Sequence, residues 1–138
     1  MDEVLLEIRQ YTGEGYLPLI DFNTWRVAVL RWEPASLPGN IDMMERHTQT
    51  DEVFVLLEGQ ATLVLGGNSD QVDGVHPHAL EPCKLYNVKQ NTWHSILISR
   101  DATILIVENR DTGEGNSEYC SLLPDFREEI ISLVRDGS

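Results

Sequence analysis

Short apolar runs broken by turn-forming clusters dominate the chain. Phe22 to Trp32 (FNTWRVAVLRW) is rich in aromatic and β-branched residues, and Val53 to Leu57 and Ala61 to Leu65 flank Glu58-Gly59-Gln60 in the manner of a tight hairpin. Leu85 to Val88, Trp93 to Ser99 and Thr103 to Glu108 continue the series, with turn-forming pieces GGNSDQVDG, KQN and SRD between the runs. Strands at this spacing predict an all-β sandwich or barrel. The period changes at the end, where Phe126, Ile130 and Val134 recur every four residues. Asp125 and Glu128 form a capping-box pair there and Gly137 follows the last turn, so one helix over roughly 124–135 is expected to pack outside the barrel. Leu5, Leu6 and Ile8 suit either a short helix or an edge strand.

Composition narrows the partners. With 138 residues and 41% hydrophobic content there is material for one core and not two, so residues 1–138 read as a single domain. Ten Lys+Arg against 23 Asp+Glu give a net charge of −13, which repels nucleic-acid phosphate and anionic headgroups and argues against both as partners. No apolar run approaches the ~20 residues needed to span a bilayer, and Met1-Asp2-Glu3 opens acidic where a signal peptide opens basic; a cytoplasmic location is expected. Cys83 and Cys120 form no CxxC pair and read as free thiols.

The four histidines are the natural start for chemistry. Glu45-Arg46-His47 places two potential ligands at i and i+2, which on a strand project from one face roughly 6.5 Å apart at Cα. Glu52 lies at an odd offset and reaches that face only if the chain bends at Thr48-Gln49-Thr50-Asp51. His94 opens another strand after the Lys89-Gln90-Asn91 turn. His76-Pro77-His78 is a poorer motif, because Pro77 suits an edge or a loop; parity with Leu80 still lets one imidazole reach the interior. Arg26 and Arg31 have opposite parity, so one of them is able to face the barrel mouth and take a substrate carboxylate as a bidentate pair. Trp25, Trp32 and Trp93 read as core or dimer-interface residues, Trp93 pointing away from His94.

This spacing resembles the cupins, small jelly-roll barrels with two short motifs. The first, Gly, five residues, His-x-His, three or four residues, Glu, six residues, Gly, falls on Gly39, Glu45, His47, Glu52 and Gly59. The second, Gly, five residues, Pro-x-Gly, two residues, His, three residues, Asn, falls on Cys83, Lys89, Asn91, His94 and Ile98, where the histidine alone keeps its family identity. Asn91 replaces a glycine at low cost, since Asn tolerates positive φ.

The resemblance covers roughly Phe22 to Glu108 and implies a cupin-type jelly-roll β-barrel, with a C-terminal helix added by the periodicity. It further implies one divalent transition metal (Mn, Fe, Ni, Co or Zn) on Glu45, His47, Glu52 and His94, with Glu45 as fourth ligand or as base. If Glu45 turns away, a two-His-one-carboxylate face remains. A homodimer is implied, because small cupins usually pair sheets. The expected function is a metal-dependent enzyme on a small polar metabolite, with isomerase, dioxygenase, decarboxylase and aminohydrolase chemistry all open; a metal- or ligand-binding sensor barrel is the alternative.

Overall fold

The computed structural model describes residues 5–137. Its strands are β1 (Gly15–Phe22), β2 (Trp25–Arg31), β3 (Met43–His47), β4 (Glu52–Glu58), β5 (Ala61–Leu65), β6 (His76–Ala79), β7 (Leu85–Val88), β8 (His94–Ile98), β9 (Thr103–Asn109) and β10 (Ser117–Ser121), followed by one helix, α1 (Pro124–Gly137). They form two five-stranded antiparallel sheets: sheet I in the order β1-β2-β9-β4-β7 and sheet II in the order β10-β3-β8-β5-β6. This is the all-β architecture expected, and both sheets take in strands lying outside residues 22–108.

Three local expectations are corrected. The 22–32 run is not one strand: Asn23 at φ 49° makes a turn, and Phe22 pairs with Trp25 across it, so β1 and β2 form the hairpin. Residues 53–65 are not a hairpin, because β4 lies in sheet I and β5 in sheet II. Gly59 adopts φ 75°, and a Cβ there would stand 2.6 Å from the Ala102 Cα, so glycine lets the chain turn the corner between sheets where a hairpin loop was expected. Helix α1 begins at Pro124, with Asp125 inside its first turn, and includes Gly137; a proline at the first helical position has no backbone N–H to leave unpaired.

Strand parity sorts the interior. Ala28, Phe54, Leu56, Leu63, Ile104 and Ile106 fill the space between the sheets. Met44, Val64, Trp93 and Leu97 face the other way from sheet II and pack with Leu122 and Ile130, which is 0% exposed, beneath α1. Trp93 thus points away from His94 as expected, whereas Trp25 is 42% exposed and lies outside the core. Leu5, Leu6 and Ile8 lie in neither helix nor strand and are exposed. No helix among the described residues is long and apolar enough to cross a membrane.

Candidate active site

The chain crosses from sheet II to sheet I between β3 and β4, and this crossing brings the donors together. Glu45 and His47 project inward from β3, and Glu45 is in register with His94 on β8. Glu52 opens β4 on the opposite wall, so its odd offset from His47 is absorbed by the bend at 48–51. The His47 Nε2 and the His94 Nε2 each stand 3.0 Å from Glu52 Oε1, while Glu45 Oε1 stands 3.9 and 4.0 Å from the same two nitrogens. All four residues of the expected set therefore line one cavity, of about 420 Å³.

His94 shows what this cluster is suited to hold. Its Nδ1 lies 3.0 Å from the Thr92 carbonyl, which can only accept, so Nδ1 carries the proton. In the neutral ring Nε2 then presents a lone pair toward Glu52 Oε1, and this buried nitrogen has no hydrogen-bond partner among the described residues. Two acceptors at contact distance need a proton or a metal ion between them. A divalent ion meets that need, and imidazole with carboxylate is a fitting donor set for one. His47 Nδ1 is 2.8 Å from Ser117 Oγ, a contact that fixes the ring with Nε2 toward Glu52.

Protons answer to the same arrangement. Burial alone would lower the pKa of both imidazoles, but contact with the Glu52 carboxylate more than offsets it, and each is raised above its ordinary value. Burial would raise Glu52, yet the two imidazoles hold it well below the usual carboxylate range.

A second buried carboxylate, Glu108 on β9, went unread in the sequence. Glu108 Oε1 accepts from Tyr16 Oη at 2.5 Å and from Arg26 Nη2 and Nε at 2.8 and 3.2 Å. Burial and the nearby Glu52 charge raise its pKa, against the pull of Tyr16 and Arg26. Glu108, His47 and Glu52 offer ligand atoms within 4.8 Å of one another, as do Glu45, His47 and His94. The available signal was parity: Ile104, Ile106 and Glu108 alternate inward along β9.

Arg26 is the arginine that faces inward, but its Nη1 also donates to the Arg110 carbonyl and its Nη2 to the Thr112 carbonyl, so four of its five N–H groups are committed. No free fork is left for a substrate carboxylate. Arg31 bonds Gly13 O and Thr103 Oγ1 outside the cavity. His76 and His78 are exposed on β6, the edge strand of sheet II, and neither joins a donor group. In the second motif Cys83 and Asn91 both adopt φ 65°, the conformation for which the cupin motif has glycine.

Residues 13–127 match the family model described as ureidoglycolate lyase. The curated protein ureidoglycolate lyase 2 of Rhizobium meliloti (strain 1021) is 31% identical over 105 residues, covering 75% of this chain and 62% of that protein. Ureidoglycolate lyase of Chelativorans sp. (strain BNC1) is 32% identical over 95 residues, covering 66% and 56%. The chain thus spans about three fifths of the length of these relatives. Among solved structures, a cupin-2 domain containing protein from Shewanella frigidimarina matches with a TM-score of 0.52 at 19% identity, over 72% of this chain and 85% of that one, a likeness that shows the cupin fold.

Proposed function

The chain belongs to the ureidoglycolate lyase family, within the cupin superfamily, and from that membership we propose that it is a lyase acting on a small metabolite of the ureidoglycolate type. The observation that carries the reading at the site is the lone pair of His94 Nε2 set against Glu52 Oε1, which supports a divalent ion held by His47, Glu52 and His94. When bound, such an ion supplies Lewis-acid polarisation of a substrate oxygen.

The remaining work belongs to the side chains. In a glycolate carrying a ureido group on its hydroxyl carbon, non-hydrolytic cleavage breaks the C–N bond, turns C–OH into C=O and moves the hydroxyl proton to the departing nitrogen. Glu45 stands back from the three closer donors and its side chain is 42% exposed, a position suited to a base that takes the hydroxyl proton and returns it to nitrogen. Ser117 keeps His47 oriented, and Phe54 and Ile106 form an apolar part of the cavity wall.

The test is elemental analysis of the purified protein together with turnover of ureidoglycolate. About one divalent ion per chain and release of urea with an oxo acid are expected. Metal without turnover of any ureido acid would leave a binding barrel.

The reading includes a homodimer. Helix α1 covers the outer side of sheet II, whereas the outer side of sheet I carries Leu17, Val29, Leu105, Val55 and Leu85 in one cross-strand row, with Ile20, Val27, Val107 and Val53 in the next. Neither row contains a carboxylate, in a chain of charge −13. Five strands ~4.8 Å apart, with outward residues every ~6.6 Å, give the two rows roughly 300 Å² per copy, the apolar centre of an interface whose rim brings it to the ~1,000 Å² total that a specific contact needs. Light scattering of Val29→Lys against the parent checks it; dimer turning to monomer is expected.

A further inference from the structure

Directly behind the donors, the outer face of sheet II carries a second cluster of side chains. Arg46 lies between Glu45 and His47 on β3, and Trp93 immediately precedes His94, so strand alternation turns both away from the cavity. They meet there: the Arg46 guanidinium lies over the Trp93 ring, 4.3 Å from its centroid. Arg46 Nε donates to Glu118 Oε1 at 2.8 Å, and Arg46 Nη1 and Trp93 Nε1 both donate to the Ser69 carbonyl, at 2.8 and 2.9 Å. Trp93 is 2% exposed and the Arg46 side chain 14%, so the stack is largely shielded from water, the setting in which a cation–π contact is strongest.

The backbone is weakest at the seam this cluster spans. Sheet II is well knit on either side of it, β10 pairing with β3 over Ser117–Ser121 and β5 with β8 over His94–Ile98. Between β3 and β8 the register consists of one pair, Glu45 with His94, supplemented by the Asn91 N–H donated to the His47 carbonyl at 2.8 Å. That seam separates His47 from His94, whereas a metal site needs its ligand distances held to within ~0.2 Å. Ser117, which bonds His47 Nδ1, is the neighbour of Glu118 on β10, so the same guanidinium also ties down the strand that orients His47.

We infer that Arg46 is a positioning residue for the metal centre: stacked on Trp93 and forked between Glu118 and Ser69, it clamps β3, β8 and β10 from behind and so fixes His47 relative to His94. This rests on the metal reading above and adds to it a residue that touches neither ion nor substrate. Arginine suits the place because a planar guanidinium lies flat on a ring while donating in its own plane to two acceptors; the ammonium of lysine brings the charge without the plane.

Arg46→Met and Arg46→Lys test the clamp. Ile104→Val, a buried change in sheet I that does not line the cavity, is the control for lost stability alone. All are measured well below their melting temperatures. Zinc(II) affinity, from titration against a competing chelator, is expected to fall about tenfold in Arg46→Met, about threefold in Arg46→Lys and less than twofold in Ile104→Val. In the metal-free protein the imidazole NMR resonances of His47 and His94 should shift in Arg46→Met, while those of His76 and His78, exposed on β6, stay in place. Should Arg46→Met fail to fold, Arg46→Lys carries both readouts. Affinity within twofold of the parent in both Arg46 variants, an equal loss in Ile104→Val, or unmoved His47 and His94 resonances would each overturn the inference. A parent that binds no zinc is a different failure: it defeats the metal reading, and the imidazole resonances of the metal-free variants then decide by themselves whether Arg46 positions the rings.

Discussion

Glu52 and Glu108 are two buried carboxylates on adjacent strands of one sheet, facing one cavity, and they meet opposite surroundings. Glu108 takes a phenol and a guanidinium on its Oε1, an arrangement in which its charge is already balanced by Arg26. Glu52 is set between two imidazoles, whose Nε2 atoms can meet it either with a proton or, when deprotonated, with a lone pair that a metal ion bridges. The first arrangement serves the fold and the second serves a ligand. Burial alone does not distinguish them; the donor count of the neighbours does.

The comparison breaks most directly at Glu52. Glu52→Gln removes the anionic donor shared by both imidazoles, and metal affinity measured by competitive chelation is expected to fall by about 10³-fold or more, with the fold retained. The corresponding change at the Glu108 site acts on stability. Arg26→Met leaves Glu108 buried beside Glu52 without its counter-charge and should cost about 3 kcal/mol in denaturant unfolding, with metal content unchanged. Were Arg26→Met to empty the metal and spare stability, the two carboxylates would not be separate in function.

Titration sharpens the same contrast. His47 and His94 are raised above their ordinary value in the metal-free protein, so their protonated contact with Glu52 adds stability fully below pH ~6.5, lost as pH rises through the raised values. Glu52 is lowered, so its contribution is present above ~4.5 and lost as pH falls through its depressed value. Metal-free protein is therefore expected to be most stable between about pH 4.5 and 6.5. The metal-loaded protein behaves oppositely on the alkaline side, because an ion must displace those protons, and its affinity should rise by up to about tenfold per proton released for each unit of pH. Paired thermal melts with and without metal should converge toward pH 5 and separate progressively toward pH 8. The smallest expected effect is at the edge strand: His76→Ala with His78→Ala should leave metal content unchanged, and a loss would place a ligand outside the cavity.

Much of this was readable in the residues. Period-two apolar runs with turn clusters between them foretell the sheets, and the parity of Glu45 and His47 foretells that they share a wall. Gly59 misled, because a glycine between two apolar runs signals a turn without saying whether the partner strand lies beside it or across the barrel. Glu108 went unread because its partners, Tyr16 and Arg26, lie far away in sequence and meet it only through the β2–β9 register. Reaction type depends on which carboxylate keeps a free oxygen, and that is set by side-chain contacts among strands of both sheets.

The pairing of β2 with β9 also bears on how the molecule is made. Val29 waits for Leu105, and β3 waits for β10, so both walls of the cavity close only after residues 103–121 have been made. Such non-local pairing places refolding in the millisecond-to-second range. An ion offered early meets His47 and Glu52 on a chain whose β10, with Ser117, is not yet in place; cofactor loading during synthesis is thereby deferred until residues 117–121 have been made and paired with β3.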